Sequence, residues 1–376
     1  MNCLVATPHR YGIREVAERV GAEWEAMGHE VSYELAYGEA ARIGPVTVGT
    51  PGIAIWWYRT LHRIAGQESY DLVWVHQPVA PMLPTRSEKL WNRTLVTFHT
   101  TLRAEYELAR DGIYPRVRRP VHRLNKTLEA RFYRALEALD VAGPRYTVVA
   151  PHLRDEIGAF GVEDAAYIPN GIMAPDRAAV EPIRQELDIP EDNTLVVNLG
   201  SLTPQKRSAR CARVLRAVTE RAGDVHCVIA GKGPLEEAVA AQASDRVHVL
   251  GYVSDDRKWQ WLADADVFVS LSAYEGMPVA SLEALSFGVP VVLSDIPAHR
   301  NVIDAHGAAG ELVTPDADAV LAGIRRMAGQ GTGRGVDLPD WRAIAEAYLD
   351  VWRAPTDVTP SGGERLSMRQ GAFENA

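Results

Sequence analysis

Residues 265–295 read "ADVFVSLSAYEGMPVASLEALSFGVPVVLSD". An apolar run (266–272) gives way to Gly276 and Pro278, then to a small-residue segment of helical spacing, then to a second apolar run (289–295). Two short buried strands joined through a helix form a parallel crossover unit, the building block of an open α/β sheet. The same alternation runs outward in both directions. "TLVVNLG" (194–200), "HCVIAGKG" (226–233) and "RVHVLG" (246–251) precede it, each followed by a helical pattern. Upstream, "CLVATP" (3–8), "HEVSYEL" (29–35), "DLVWVH" (71–76), "TLVTFH" (94–99) and "YTVVAP" (146–151) repeat the rhythm. Between the two runs, "IPNGIMAPDRAAVEP" (168–182) holds three prolines and no apolar period, as a linker does.

The expected architecture is therefore α/β, with two Rossmann-like domains in tandem. The boundaries read 1–172 for the first domain, 173–185 for a linker and 186–338 for the second. A helix at 339–355, capped by Asp340, and a polar, disordered tail at 356–376 complete the chain. A length of 376 residues suits two cores. The net charge of −9 argues against a general nucleic-acid binder. Cys3, Cys211 and Cys227 form neither a zinc pattern nor a disulfide framework, which fits a reducing compartment. "MNCLVATPHRYG" lacks the features of a secretory signal, and no apolar run is long enough to cross a bilayer, so the expected location is cytoplasmic.

In open α/β sheets, ligands sit beyond the carboxyl ends of the strands. In 265–295 that place holds Glu275, Gly276, Met277, Pro278 and Val279, with Glu283 eight residues after Glu275. Pro278 suits a first helical turn, and the N–H groups and dipole there favour an anion. Two carboxylates about two turns apart, ~8–12 Å, can hold hydroxyls at opposite ends of one ligand. A helix-start acid and a solvated helix residue would look the same. Lys206 and Arg207 follow Gly200 and Ser201 at another strand end, where a lysine can serve as a point charge for phosphate. Gly231, Lys232 and Gly233 make a tight loop after a third strand.

The ordered set "IPNGI" (168–172), "NLGSLTPQK" (198–206), "IAGKGP" (229–234), "VLGYVSDD" (249–256) and 265–295 resembles the retaining glycosyltransferases of family 4, with the GT-B fold. "GHEV" (28–31), "DLVWVHQP" (71–78) and "LVTFHTT" (95–101) extend a looser likeness over residues 1–353. The resemblance implies two domains facing each other across a cleft, with the last helix returning to the first domain. It implies that Glu275 contacts the donor sugar and Glu283 the ribose. Gly276 and Met277 would offer backbone N–H groups, and Lys206 would neutralise the diphosphate. Gly231 to Gly233, Tyr252 and Val253 would border the base, and His99 would lie near the reacting sugar. Gly12 and His76 would fall on the acceptor side. Ser201 stands where the family often has arginine, with Arg207 as a candidate substitute. Gly12 stands alone where the family has paired glycines, and Asn301 where it has glutamate.

The implied reaction is retaining transfer of a sugar from a nucleotide-diphosphate donor to an unidentified acceptor, with no metal. A nucleotide-sugar epimerase and a non-catalytic nucleotide-sugar-binding protein are the alternatives. Residues 110–134 carry eight Lys or Arg in an otherwise acidic chain. Arg116, Arg118, Arg119, Arg123 and Lys126 would suit an anionic membrane surface, which would place the protein peripherally on the inner face of the membrane. A solvated helix face is the other reading. Trp56 and Trp57 are either interfacial aromatics or core residues under the sheet.

Overall fold

The computed structural model describes residues 1–9, 12–36, 42–43, 46–47, 50–78, 85–139, 143–306, 309–330 and 335–354. The expected disordered tail at 356–376 lies outside them. The chain divides into two compact units. The first comprises 1–110, 115–171 and the chain from Pro339; the second is essentially Ile172–Leu338.

The first unit carries a six-stranded parallel sheet. Its strands are β1 (Asn2–Thr7), β2 (Glu30–Leu35), β5 (Leu72–His76), β6 (Thr94–Phe98), β7 (Arg145–Val148) and β8 (Ala165–Tyr167). Two short strands, β3 (Arg42–Ile43) and β4 (Val46–Thr47), pair antiparallel outside it. The order β2-β1-β5-β6-β7-β8 reverses direction between β1 and β5. Helix Gly12–Ala26 packs on this sheet through Val16, Val20 and Trp24, and Gly28 follows it with φ +85°, the left-handed stop that glycine adopts without strain. The last helix, Trp341–Arg353, belongs to the same core: Ile344, Ala345, Tyr348 and Leu349 are buried with Val5, Trp24 and Trp74. Trp24 Nε1 donates to the Ala345 carbonyl at 3.0 Å, and the Trp74 ring lies 5.0 Å from Trp24 and 4.6 Å from Tyr348. Trp57 is fully buried, which removes it as an interfacial aromatic; Trp56 packs edge-on against it at 4.8 Å.

The second unit's strands are β9 (Thr194–Leu199), β10 (Val225–Ala230), β11 (Val247–Gly251), β12 (Val267–Ser270), β13 (Val291–Ser294) and β14 (Gly310–Val313). All pair in parallel in the order β11-β10-β9-β12-β13-β14, with the reversal between β9 and β12. Both faces are covered, so successive side chains enter opposite cores: Leu195, Val197 and Leu199 one, Val196 the other. This is why the strands read as unbroken apolar runs.

The segment expected as the linker, 173–185, packs onto this unit. Ile172 and Ile183 enter its core, and two 3₁₀ turns interrupt it (Arg177–Ala179 and Arg184–Leu187). Arg184 is buried against Asp264 and Asp266. β8 and β14, the short edge strands, carry no clear signal in the sequence.

Candidate functional site

The two reversals of strand order mark where the connections from neighbouring strands leave towards opposite faces of the sheet and open a crevice for a ligand. In the second unit the reversal lies between β9 and β12. The loops after those two strands carry Gly200–Arg207 and Ser272–Pro278, so the topology brings Lys206 to Glu275 across 69 residues of sequence.

Glu275 is 4% exposed. One carboxylate oxygen is ion-paired with Lys206 Nζ, and the other accepts from Ser272 Oγ at 2.7 Å. Ser294 Oγ in turn donates to the Ser272 carbonyl at 2.6 Å. The buried His299 is bonded through Nδ1 to the Ser294 carbonyl at 2.8 Å, which puts the proton on Nδ1. The loop is pinned from the other side as well: Ala273 N–H donates to the Gln205 carbonyl at 2.8 Å, and Gln205 Nε2 to the Tyr274 carbonyl at 3.2 Å. Beneath lies a polar cavity of about 20 Å³, lined by Asn198, Ser270, Ser281 and Glu275 among others.

Arg207 adopts a left-handed φ of +48° and donates to the Ser272 carbonyl at 3.3 Å. Its guanidinium therefore stands on the Glu275 loop, within the same constellation as Lys206. Burial lowers its pKa from the usual value. Ser201 is exposed, with its carbonyl accepting from Ser208 Oγ at 3.3 Å.

The helix after Glu275 runs from Val279 to Ser286, with Pro278 as its N-cap, one position earlier than the expected first turn. The Val279 N–H donates to the Met277 carbonyl at 3.0 Å, so that first-turn donor is engaged locally. Met277 packs partly into the core. Glu283 lies on this helix with its side chain 14% exposed, and Lys258 Nζ reaches its Oε1 at 2.7 Å. It is thus a paired residue rather than a solvated one. Lys258 also stands 3.4 Å from Asp255 and over the Trp259 ring at 4.7 Å. Burial alone would lower its pKa; the charges of and hydrogen bonds to Glu283 and Asp255 outweigh that and raise it. The sequence reading missed Lys258, whose partner is 25 residues away on another helix.

The loops after β9, β10 and β11 are laced backbone to backbone. Gly200 N–H donates to the Ala230 carbonyl at 3.1 Å and Gly231 N–H to the Gly251 carbonyl at 2.7 Å. Gly231 has φ +152°, and a Cβ there would stand 1.8 Å from the Gly200 carbonyl oxygen; one at Gly233 would stand 2.5 Å from that of Leu202. Exposed Tyr252 has Lys232 Nζ 5.1 Å above its ring, and Val253 is packed into the core. The candidate base loop is thus formed from tightly apposed main chain bearing one exposed ring.

In the first unit, the reversal between β1 and β5 gathers histidines. His76 ends β5 and His99 follows β6. His76 Nδ1 is 2.9 Å from His99 Nε2, and the rings stack at 5.2 Å. Burial lowers the pKa of both, His99 to about 3, so the pair is neutral at ordinary pH. His9, after β1, is lowered to about 4 by burial and acts electrostatically on both. The sequence reading had singled out His99 and His76 but not His9. Gly12 opens its helix at an exposed position with space for a side chain. Among the described residues, no group of three or more His, Cys, Asp or Glu is placed to hold a metal ion.

On a helix of the same unit, Arg119–Glu137, and the 3₁₀ turn before it, Val117, Val121 and Leu124 are exposed. Val121 and Leu124, three apart on the helix, share one face, and Val117 stands on the turn that leads into it. Arg116, Arg118, Arg119, Arg123 and Lys126 flank them, and a groove of about 530 Å³ lies beside, lined by Tyr106, Arg110, Arg119, Arg123 and Leu124. No helix among the described residues is long and apolar enough to cross a membrane.

Two family models match end to end: "Glycosyltransferase Family 4" over residues 11–174 and "Glycosyl transferases group 1" over 179–331. The phosphatidyl-myo-inositol mannosyltransferase of Mycolicibacterium smegmatis is 28% identical over 290 residues, 75% of this chain and 66% of that protein. The GDP-mannose-dependent alpha-(1-6)-phosphatidylinositol dimannoside mannosyltransferase of Mycobacterium tuberculosis is 26% identical over 376 aligned positions, 94% of this chain and 96% of that one. Among solved structures, sucrose-phosphate synthase from Thermosynechococcus elongatus superposes with a TM-score of 0.69 at 17% identity, covering 94% of this chain and 98% of that one. This likeness shows the fold, GT-B.

Proposed function

Because the chain belongs to glycosyltransferase family 4, we propose that it moves a hexose, mannose first among the candidates, from a nucleotide-diphosphate donor with retention at the anomeric carbon. The observation that carries this reading is the pair of lysine–glutamate contacts: Lys206 on Glu275 and Lys258 on Glu283. Two carboxylates for sugar hydroxyls and a lysine and an arginine beside the first of them are what departure of a diphosphate requires. The mannosyltransferase relatives, one of them GDP-mannose-dependent by name, favour that donor.

In this mechanism Lys206 turns from Glu275 to the diphosphate and stabilises its developing charge, with Arg207 as a second cation. Glu275, released, accepts hydrogen bonds from the sugar. The leaving phosphate takes the acceptor proton on the same face, so Glu275 binds rather than attacks, and no metal is needed. Incubation with GDP-mannose and with UDP-sugars, read by thermal shift and then by the anomeric configuration of the product, tests the proposal. An inverted product, a sugar trapped covalently on Glu275, or activity abolished by EDTA and restored by a divalent cation would each refute the corresponding step.

The acceptor reading rests on the Val117–Val121–Leu124 face with its flanking cations. Such a surface suits an anionic bilayer, each cation adding about 1 kcal/mol near it, and both mannosyltransferase relatives are named for phosphatidylinositol-based acceptors. The proposed acceptor is therefore a lipid-linked polyol, met by a peripherally bound enzyme. Co-sedimentation with anionic vesicles, lost at high salt, is the expected result. Equal pelleting with neutral vesicles would count against it.

A further inference from the structure

Of the forty basic residues in the chain, only five are lysines, yet three of these, Lys206, Lys232 and Lys258, stand on the donor side of the second unit. Lys206 and Lys258 are held differently. Lys206 bonds Glu275 from a loop, with its side chain 31% exposed. Lys258 projects from the first turn of a regular helix, Asp255–Asp264, and its side chain is 19% exposed. Glu283, Asp255 and the Trp259 ring fix it on three sides.

The helix of Lys258 touches the helix of Glu283 a second time. Trp259 stacks on Phe287, the residue that ends the Val279–Ser286 helix, with centroids 4.7 Å apart and planes at 26°. An ion pair and a ring stack, from adjacent residues 258 and 259, thus tie the two helices together. The Lys258 helix begins at Ser254, whose hydroxyl accepts from the Arg257 N–H at 3.4 Å, directly after Tyr252 and Val253. The loop that borders the base and the glutamate that holds the ribose are consequently joined through one rigid element.

We propose that Lys258 is a positioning residue for nucleotide binding: it fixes the Glu283 carboxylate in place and neutralises it beside the incoming diphosphate. This rests on the reading of Glu283 as the ribose-binding residue. A carboxylate beside an ammonium keeps lone pairs for ribose hydroxyls, since it offers about four acceptor positions. An unneutralised one would repel the diphosphate in a partly buried site. Lys258 acts through Glu283 and its own loop; the sugar and the reacting atoms lie on the Glu275 side, so its removal weakens nucleotide binding without slowing the chemical step.

The test uses the full chain, with GDP and UDP as calorimetric probes and the preferred donor for kinetics. Lys258→Met is expected to weaken nucleoside-diphosphate binding and raise donor KM about tenfold, with kcat within about threefold of the parent. Lys258→Arg is expected to recover most of that loss, and Lys258→Met in a Glu283→Gln background to add little. Lys258→Gln serves the same purpose should the methionine variant fail to fold. Unchanged binding in a folded Lys258→Met protein would overturn the proposal, as would a loss confined to kcat or an equal loss in the Glu283→Gln background. Glu283→Gln alone separates the two layers. If it leaves nucleotide binding intact, the ribose assignment itself fails; if it weakens binding while Lys258→Met does not, only the role of Lys258 fails.

Discussion

Lys206 is ion-paired with Glu275 across two loops that follow neighbouring strands, β9 and β12, at the point where the strand order of the second sheet reverses. Both are the residues that a diphosphate and a sugar would claim. On the function proposed above the pair would exchange partners when a donor arrives, and Lys206, with its side chain 31% exposed, is the less buried of the two.

Replacing Lys206 by methionine leaves a buried carboxylate without its cation and, on the proposed reaction, a leaving diphosphate without a neutralising charge. We expect kcat/KM to fall by a factor of about 10²–10³, the usual cost of one charge-stabilising donor. Native stability should fall by about 1–3 kcal/mol, less than for a fully buried pair because Lys206 is partly solvated. Turnover within tenfold of the parent, in steady-state assays, would remove Lys206 from the reaction.

Gly231→Ala drives a methyl group into the Gly200 carbonyl at a φ that disfavours any side chain. The loops after β9 and β10 must separate, so the variant should lose the thermal shift given by nucleoside diphosphate. Its unfolding temperature should fall as well, consistent with about 1–3 kcal/mol of local strain. Gly12→Ala, with open space at its Cβ, is the control that should fold like the parent.

Glu129 is fully buried, where it accepts from the Leu102 N–H at 2.7 Å and the Arg103 N–H at 3.3 Å. Burial pushes its pKa up to about 8, against the lowering effect of those two donors. A carboxyl whose folded pKa lies above its unfolded value binds more protons in the native state, so stability declines as pH rises from about 4.5 to about 8. The slope approaches 1.4 kcal/mol per pH unit within that window. Glu129→Gln should flatten that decline in denaturant melts taken across the range. An unchanged slope would mean that the acid is ionised in the fold.

Trp24→Phe removes the bond from Nε1 to the Ala345 carbonyl while keeping most of the ring, and should cost about 1–2 kcal/mol. Trp24→Ala opens the core shared by Trp74 and Tyr348 and should cost about 3–5 kcal/mol. Equal losses for the two variants in equilibrium unfolding would show that the hydrogen bond, not the packing, holds the last helix.

Much of this was legible in the sequence, and for a physical reason. Strands covered on both faces are apolar at nearly every position, so β9, β10 and β12 announce themselves. A parallel sheet then places chemistry at their carboxyl ends, where Gly200, Gly231 and Glu275 stand. What escaped depends on partners remote in sequence. Nothing near Lys258 signals Glu283, and nothing near His9 signals His76. β8 and β14 are short edge strands with few buried positions. Trp57 sits on a helix whose apolar pattern fits a membrane surface as well as a core, and only its burial decides. The stretch at 173–185 read as a linker because its hold on the second unit comes from Arg184 and Ile183 rather than from any periodicity.

The last helix has a consequence for synthesis. The first unit's core is unfinished without Ile344, Tyr348 and Leu349, which are made after every strand of that core and after all of Ile172–Leu338. The part made first should therefore settle last, holding an unsealed apolar face around Trp24 and Trp74 until the Trp341–Arg353 helix is available. Limited proteolysis of a released chain ending at Leu338 should find Ile172–Leu338 protected and residues 1–171 still open to cleavage.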